Sequence, residues 1–553
     1  MNIIESEVFK MAEFITKEQA AELIKDDMTV ASTCFTLAGW PEDIGAQVAE
    51  NFKATGHPRN LRHIHAAGLG NWAGRGEDLW AIPGMVTKLI TSHPGSAPHR
   101  LQMILNNEIM AWTLPLGCML QNYREIGRRS PGLLSKVGLG TFVDARVNGG
   151  KQNELTKEKG EDLVQYIPDL NGEEYLLYKP WHIDIALLRG TTADGNGNIT
   201  CEHEPINLEL LAVAQAVKAC GGKVIVGVQS LAETGSLNPR MIKVPGIYVD
   251  YVVVSTPEDI EKHYDQTGAT KFRRDFTPGF RVPVDNGKAD LPLNAIKVMC
   301  RRAAMELKQG MKVNFGIGNP QSIGTVLAEE GCSDMCTTIS ESGSIGGVPQ
   351  SGPDFGTHVN VEASCDHCDH FYFFDGGNLD VGIYGLSESD KDGNINTTRL
   401  NGSLQGIGGF INISSTVKKS IFLGTFKAVG IRTHIAKGKL VIDQDGKFPK
   451  FKESCPELAY NAGQALAMGH EALYITERCV MERRPEGLVI TEIAPGVDLQ
   501  RDILDQMEFT PIIPEGGPKL MPEEIFREEW GKLKEYMTSE SEAISEETLP
   551  AAS

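Results

Sequence analysis

The stretch 184-DIALLRGTTADGNGNI-199 returns later in the chain as 380-DVGIYGLSESDKDGNI-395. Each version opens on an aspartate, runs through an apolar, strand-like segment and ends in a polar turn with Gly and Asn. Such a turn closes a strand, because Gly and Asn accept the left-handed backbone that tight turns need. Working outward, two more pairs match in the same order. The run 224-VIVG-227 pairs with 421-IFLG-424. The run 41-PEDIGAQVAE-50 pairs with 320-PQSIGTVLAE-329, with 28-MTV-30 and 311-MKV-313 just upstream. The offset is 279 for 41/320 and 196 or 197 for the later blocks, so about eighty extra residues lie between the blocks of the first half. Three ordered matches indicate two copies of one unit, the first carrying an insertion.

The unit reads as α/β. Apolar runs recur at 223-KVIVGV-228, 247-IYVDYVVV-254, 311-MKVNFGI-317, 420-SIFLGT-425, 472-ALYITE-477 and 487-GLVITEI-493. Several are nearly unbroken, as in strands covered on both faces. Helical patterns lie between them. In 41-PEDIGAQVAENF-52, Ile44, Val48 and Phe52 share a face, and Pro41 suits a first helical turn. The alternation predicts two tandem, related open-sheet α/β domains with largely parallel sheets. The expected boundaries are 1–285 for the first domain, with its insertion, and 290–535 for the second. The Pro-, Gly- and Asp-rich 276-FTPGFRVPVDNGKADLP-292 reads as the linker, and the acidic 536–553 as a disordered tail.

At 553 residues the chain is too long for one core. Its net charge of −20 argues against binding nucleic acid or an anionic membrane through the whole surface. The first residues mix acidic and basic groups within every turn, which is no signal-peptide pattern, and no apolar run approaches a bilayer's span. Eleven scattered cysteines form no regular framework, so a reducing cytoplasm is expected.

Four features compete as sites. In 365-CDHCDH-370, thiols and imidazoles crowd together, but no second ligand pair follows. The next residues, 371-FYFF-374, read as a strand that would turn alternate side chains to opposite faces, so no metal is expected. The glycine turns 68-GLGNW-72, 138-GLGTF-142 and 316-GIGNP-320 lack a complete dinucleotide fingerprint but suit an anion at a helix N-terminus. The run 406-GIGGFINIS-414 reads as a bulge or tight turn before an alternating segment. Last, 339-ISESGSIGGVPQSGPDFG-356 sets Glu341 among small residues, where backbone and ligand can approach closely. The first repeat shows no clear equivalent of this glutamate.

The run E-S-G-x-I-G-G-V-P-x-x-G-x-D-F-G around Glu341 resembles the active-site segment of class I CoA-transferases of the propionate/acetate CoA-transferase type. The resemblance extends through 36-TLAGWPEDI-44, 138-GLGTFVDARVNGGKQN-153, 189-RGTTADGNGNIT-200, 244-VPGIYVDYVVV-254, 313-VNFGIGNP-320, 375-DGGNLD-380, 421-IFLGTF-426 and 491-TEIAPGVDL-499. It implies the CoA-transferase fold, with A-subunit-like and B-subunit-like domains fused. It also implies that Glu341 is the nucleophile of a ping-pong exchange through a glutamyl-CoA thioester. Backbone amides near Phe315–Gly316 and Gly408–Gly409 are then the oxyanion donors. Gly318, Asn319, Gly343, Gly346, Gly347 and Gly406 are expected along the CoA path, and Leu116, Gly117 and Asn378 at the acid pocket.

Two positions depart from the family pattern. Leu116 stands in 115-PLG-117 where relatives read P-Q-G, and Asn378 stands in 375-DGGNLD-380 where they read glycine. The resemblance further implies acyl-CoA and short-chain carboxylic acids as substrates, no permanently bound cofactor, and a homodimer or homotetramer. The nearest alternative is an acyl-CoA thioester hydrolase on the same fold. An effector-binding protein without chemistry and a sugar-phosphate isomerase are more distant readings.

Overall fold

The computed structural model describes residues 12–264, 270–283, 291–400 and 402–539. Two eight-stranded sheets organise it. The first is built from β1 (Glu13–Ile15), β2 (Thr29–Ser32), β3 (Leu61–His65), β4 (Val86–Thr91), β5 (Met110–Thr113), β6 (Ile185–Arg189), β7 (Lys223–Val228) and β8 (Tyr251–Val254). The second is built from β9 (Lys312–Phe315), β10 (Thr337–Thr338), β11 (Val381–Gly385), β12 (Lys419–Leu423), β13 (Glu471–Ile475), β14 (Cys479–Arg484), β15 (Gly487–Ile493) and β16 (Lys519–Leu520).

The sheets repeat one topology. The first runs β1-β8-β7-β6-β2-β3-β4-β5 and the second β10-β9-β11-β12-β13-β14-β15-β16. The segment β8-β7-β6-β2-β3 therefore has its counterpart in β13-β12-β11-β9-β10, and the repeats seen in sequence occupy equivalent strands. All pairs of the first sheet are parallel. The second is parallel from β10 to β13 and then antiparallel through β14 and β15. Every residue of β6 is buried, as is all of β7 beyond Lys223, in keeping with strands sandwiched between helices. Helix α1 (Glu42–Thr55) buries Ile44 and Val48 and stops at Gly56, whose φ of 77° ends the helix. Its counterpart α3 (Ser322–Glu329) buries Ile323, Val326 and Leu327. The extra residues of the first half contain β4, β5, helix α2 (Leu116–Gly127) and a small antiparallel sheet over 133–178.

Three local expectations are corrected. The residues 371-FYFF-374 are not a strand but lie in helix α4 (His367–Asp375), opened by Asp366, whose Oδ1 accepts from the Cys368 amide at 3.0 Å. The buried positions 367, 370, 371 and 374 have helical spacing. Two of them are histidines, so a hydrophobicity pattern hides the stripe. The alternating run after Gly409 is helix α5 (Phe410–Thr416). The expected tail begins too early, because a helix spans Leu533–Thr538; residues 540–553 and the linker positions 284–290 lie outside the described residues. One of several buried hydrophobic clusters runs across the two halves, from Leu120 and Phe142 to Phe371 and Tyr460.

Candidate active site

Strands of both sheets end at one cavity of about 40 Å³. The segment after β2 supplies Phe35 and Thr36; that after β3 supplies Ala67, Gly68 and Trp72. The segment after β4 supplies Ser92, His93 and Ser96, and α2 opens with Leu116 after β5. From the second half come Ile317 after β9, Glu341 after β10, and then Phe355 and Gly408. Ligands of open α/β sheets sit beyond the carboxyl ends of parallel strands. Here two such edges meet.

Glu341 occupies a tight turn. The Gly343 amide donates to the Ser340 carbonyl at 3.2 Å, and the Ser342 hydroxyl to the Gly356 carbonyl at 2.5 Å. Gly343 has φ +98°, and a Cβ there would lie 2.6 Å from the Cys365 carbonyl oxygen, so only glycine fits. The Gly409 amide donates to Glu341 Oε2 at 2.8 Å. Burial raises the Glu341 carboxyl above the ordinary glutamate range, while the Gly409 hydrogen bond and the nearby His367 act in the opposite sense. The walls are mainly Phe35, Phe355, Leu116, Ile317 and Trp72, with the Phe35 and Phe355 rings 5.8 Å apart. Among the described residues no lysine or arginine lines the cavity, and burial pushes His93 down to about 4, which keeps it neutral at pH 7.

The other expected site residues divide. Leu116 lines the cavity, and its amide donates to the Gly408 carbonyl at 3.0 Å. Ile317 to Asn319 form a partly exposed rim. Gly408 faces the cavity, but its amide donates to the Ser92 carbonyl at 3.1 Å, and that of Gly316 to the Ile383 carbonyl at 2.8 Å. Both amides are therefore engaged, and Phe315 lies within β9, opposite Ile383; the donor that meets Glu341 is Gly409.

Gly346 and Gly347 do not open a groove. At both φ is positive, and a Cβ would lie 2.6 Å from the Glu362 carboxyl carbon and 2.4 Å from the Val359 carbonyl oxygen, respectively. They lie between two short antiparallel pairings, 344–345 with 363–364 and 348–349 with 358–359, tight against the facing segment. Gly406 packs the second half on the first, where a Cβ would lie 2.7 Å from the Ser92 carbonyl oxygen. Gly117 is also a packing residue. Its amide donates to Asn412 Oδ1 at 3.0 Å, and a Cβ would lie 2.3 Å from the Phe371 ring. Asn378 is exposed beyond α4, with its Nδ2 donating to the Phe373 carbonyl at 3.2 Å, and it does not line the cavity.

The residues of 365-CDHCDH-370 are used separately. His367 Nδ1 lies 2.8 Å from Glu209 Oε2, both groups fully buried, and the Cys368 thiol reaches the Leu120 carbonyl at 3.5 Å. Elsewhere His63, His65 and Glu77 gather closely, but Arg100 Nε lies 2.8 Å from Glu77 Oε1, and His63 is held by Glu77 and Ser32. Arginine supplies the charge that a metal would supply there. Asp375, pushed up to about 6 by burial, accepts from Asn412 Nδ2 at 2.9 Å, so Asn412 joins α2, α4 and α5.

Sequence reasoning missed Phe35, Ser92, His93, Ser96 and Phe355 as cavity residues. Two partial signals existed in 36-TLAGWPEDI-44 and 68-GLGNW-72. Ser92 and His93 have no motif, because only the turn after β4 brings them in.

The coenzyme A transferase family profile matches residues 15–255. The chain is 44% identical over 533 residues to caffeate CoA-transferase of Acetobacterium woodii, covering 95% of this chain and 100% of that one. It is 40% identical to the acetate CoA-transferase YdiF of Escherichia coli O157:H7, over 93% of this chain and 94% of that one. A crystal structure of the E. coli O157:H7 acyl-CoA transferase YdiF, a thioester complex with CoA, superimposes with a TM-score of 0.86 at 38% identity, covering 94% of this chain and 96% of that one.

Proposed function

This chain belongs to the coenzyme A transferase family and transfers coenzyme A between acyl-CoA and carboxylic acids, and from that premise we propose a ping-pong exchange through a glutamyl-CoA thioester on Glu341. The observation that carries this reading is the Glu341 carboxylate, half-buried beside apolar walls and held by the Gly409 amide. A relative described as a thioester complex with CoA supports it.

The steps balance without an added proton. A Glu341 oxygen attacks the thioester carbonyl carbon, and the C–S bond breaks to release CoA thiolate and leave a mixed anhydride. The thiolate attacks the Glu341 carbonyl carbon and releases the first acid as a carboxylate. The enzyme then holds CoA as a glutamyl thioester. A second carboxylate attacks that carbonyl, expels thiolate and forms a new anhydride. Thiolate attack on its acyl carbon releases the new acyl-CoA and free Glu341. Burial that raises the Glu341 carboxyl makes it a better nucleophile. When the glutamyl carbon becomes tetrahedral, the Gly409 amide is placed for its oxyanion, an interaction worth about 2.7–4 kcal/mol in transition states of this type. The apolar walls slow hydrolysis of the anhydride. With Leu116 in the wall, the cavity suits an acid with an apolar body.

CoA comes and goes as a substrate, and no bound cofactor is needed. Eleven unpaired cysteines suit a reducing cytoplasm, and a homodimer or homotetramer, readable by light scattering, is the expected assembly. Among the described residues no helix is long and apolar enough to cross a membrane.

The test is intact mass after mixing the protein with acetyl-CoA or propionyl-CoA without acceptor, followed by peptide mapping. A CoA adduct on Glu341 is expected. Steady release of free CoA with no adduct would instead identify a hydrolase.

A further inference from the structure

Ser92 and Ser96 are buried, 0% and 2% exposed, and both line the Glu341 cavity. Neither hydroxyl has a hydrogen-bond partner among the described residues. A buried hydroxyl left unpaired costs about 1–3 kcal/mol, and such groups call for an explanation at the site where they occur. Thr36, the other hydroxyl of the lining, donates to the Phe35 carbonyl at 2.6 Å. The two serines are therefore the hydroxyls of this cavity that remain uncommitted.

Their positions are fixed by backbone. The Ser92 carbonyl accepts from the Ile407 amide at 2.8 Å and the Gly408 amide at 3.1 Å, and the next residue, Gly409, holds Glu341. The Ser96 carbonyl accepts from the Trp72 amide at 2.9 Å. Ser96 ends the short turn Pro94–Ser96, four residues beyond Ser92. The first half thus presents two neutral donors in the lining of a cavity whose glutamate comes from the second half, with no lysine or arginine in that lining among the described residues.

We propose that the Ser92 and Ser96 hydroxyls bind the carboxylate of the acid substrate, and the matching acyl oxygen of its CoA thioester, against Glu341. This rests on the assignment of Glu341 as nucleophile. Neutral donors suit the task. The acid must keep enough electron density on oxygen to attack the glutamyl thioester, and a paired cation would withdraw it. Leu116 offers an apolar side chain and no hydrogen bond, so the oxygen must be held elsewhere.

The test uses the full-length Ser92→Ala and Ser96→Ala variants, with propionyl-CoA as donor and whichever of acetate, propionate or caffeate the wild type accepts. A hydrogen bond to a charged group is worth about 1.5–3 kcal/mol, so KM for the acid should rise roughly 10- to 100-fold in each variant. Melting temperature should hold or rise, because alanine removes an unpaired buried hydroxyl. Unchanged acid KM in both variants would overturn the proposal. So would a fall in melting temperature, since it would show that the hydroxyls have partners within the fold. A CoA adduct that still maps to Glu341 in the variants keeps the two readings separate. A wild type that never forms it would defeat the nucleophile assignment itself.

Discussion

The loops after β3 and β10 hold equivalent places in the two sheets, and both reach the cavity. Three residues beyond each strand stands Gly68 in the first and Glu341 in the second. A Cβ at Gly68 would lie 2.9 Å from the His93 carbonyl oxygen and 3.0 Å from Ser96 Oγ. The first loop is filled by its neighbour, the turn after β4, and has no room for a side chain. The second loop has no such neighbour, and its glutamate projects into the space between the halves. One scaffold therefore serves two purposes. On the proposed mechanism the second copy carries the reacting group, while the first, through its added strands, carries Leu116 and the two serine hydroxyls.

The largest effect should come from shortening the group that distinguishes the second loop. Glu341→Asp withdraws the carboxylate by about 1 Å or more from its aligned position, and turnover should fall more than about 100-fold in a steady-state assay. Near-normal exchange would place the nucleophile elsewhere. Next is Gly409→Ala. The backbone there, φ −84° and ψ 0°, accepts alanine, but the new Cβ would lie 2.3 Å from Glu341 Oε2. The carboxylate must move, so kcat should fall about 100-fold with little change in melting temperature. Full activity would show that the turn at 340–343 has slack.

The first half should respond in selectivity. Leu116→Gln places an amide in the wall, and the kcat/KM ratio of butyrate over acetate should fall roughly 10-fold. An unchanged ratio would remove Leu116 from the acid site.

The smallest effect is thermodynamic. The folded-state pKa of Glu341 is raised, so the fold binds this proton more tightly than the unfolded chain does. The stability this contributes is present below the unfolded value and is lost as pH rises through the folded one. At neutral pH, Glu341→Gln should therefore raise the melting temperature by about 1–3 °C while abolishing adduct formation. In the wild type the acid limb of kcat/KM should lie above the ordinary glutamate value, because the nucleophile must be ionised.

How much was legible in the sequence depends on what carried the signal. The internal repeat predicted two related α/β sheets, and the apolar runs located β7, β9, β12 and β13, because buried parallel strands need unbroken apolar sequence, as well as the antiparallel β15. Glu341 stood out because it lies between two strand-and-glycine motifs of the second repeat, with no clear equivalent in the first, and because its surroundings resemble the family's active-site segment. The pattern failed at α4, whose buried stripe includes His367 and His370, and periodicity does not register a buried histidine that is satisfied by a distant carboxylate such as Glu209.

The glycines show the same limit. Sequence marks where glycine is needed but not why. Gly343, Gly346, Gly347 and Gly406 meet protein atoms where a ligand path had been expected. By itself the sequence determined the duplication, the class of fold and the glutamate, since each is written in local order. Only tertiary structure decided that Gly409 rather than Gly316 supplies the amide, that Asn378 lies outside the cavity, and that Ser92 and Ser96 face it. Those outcomes depend on which chain segments meet at the joined strand edges, and a hydrogen bond across that junction leaves no period in the sequence.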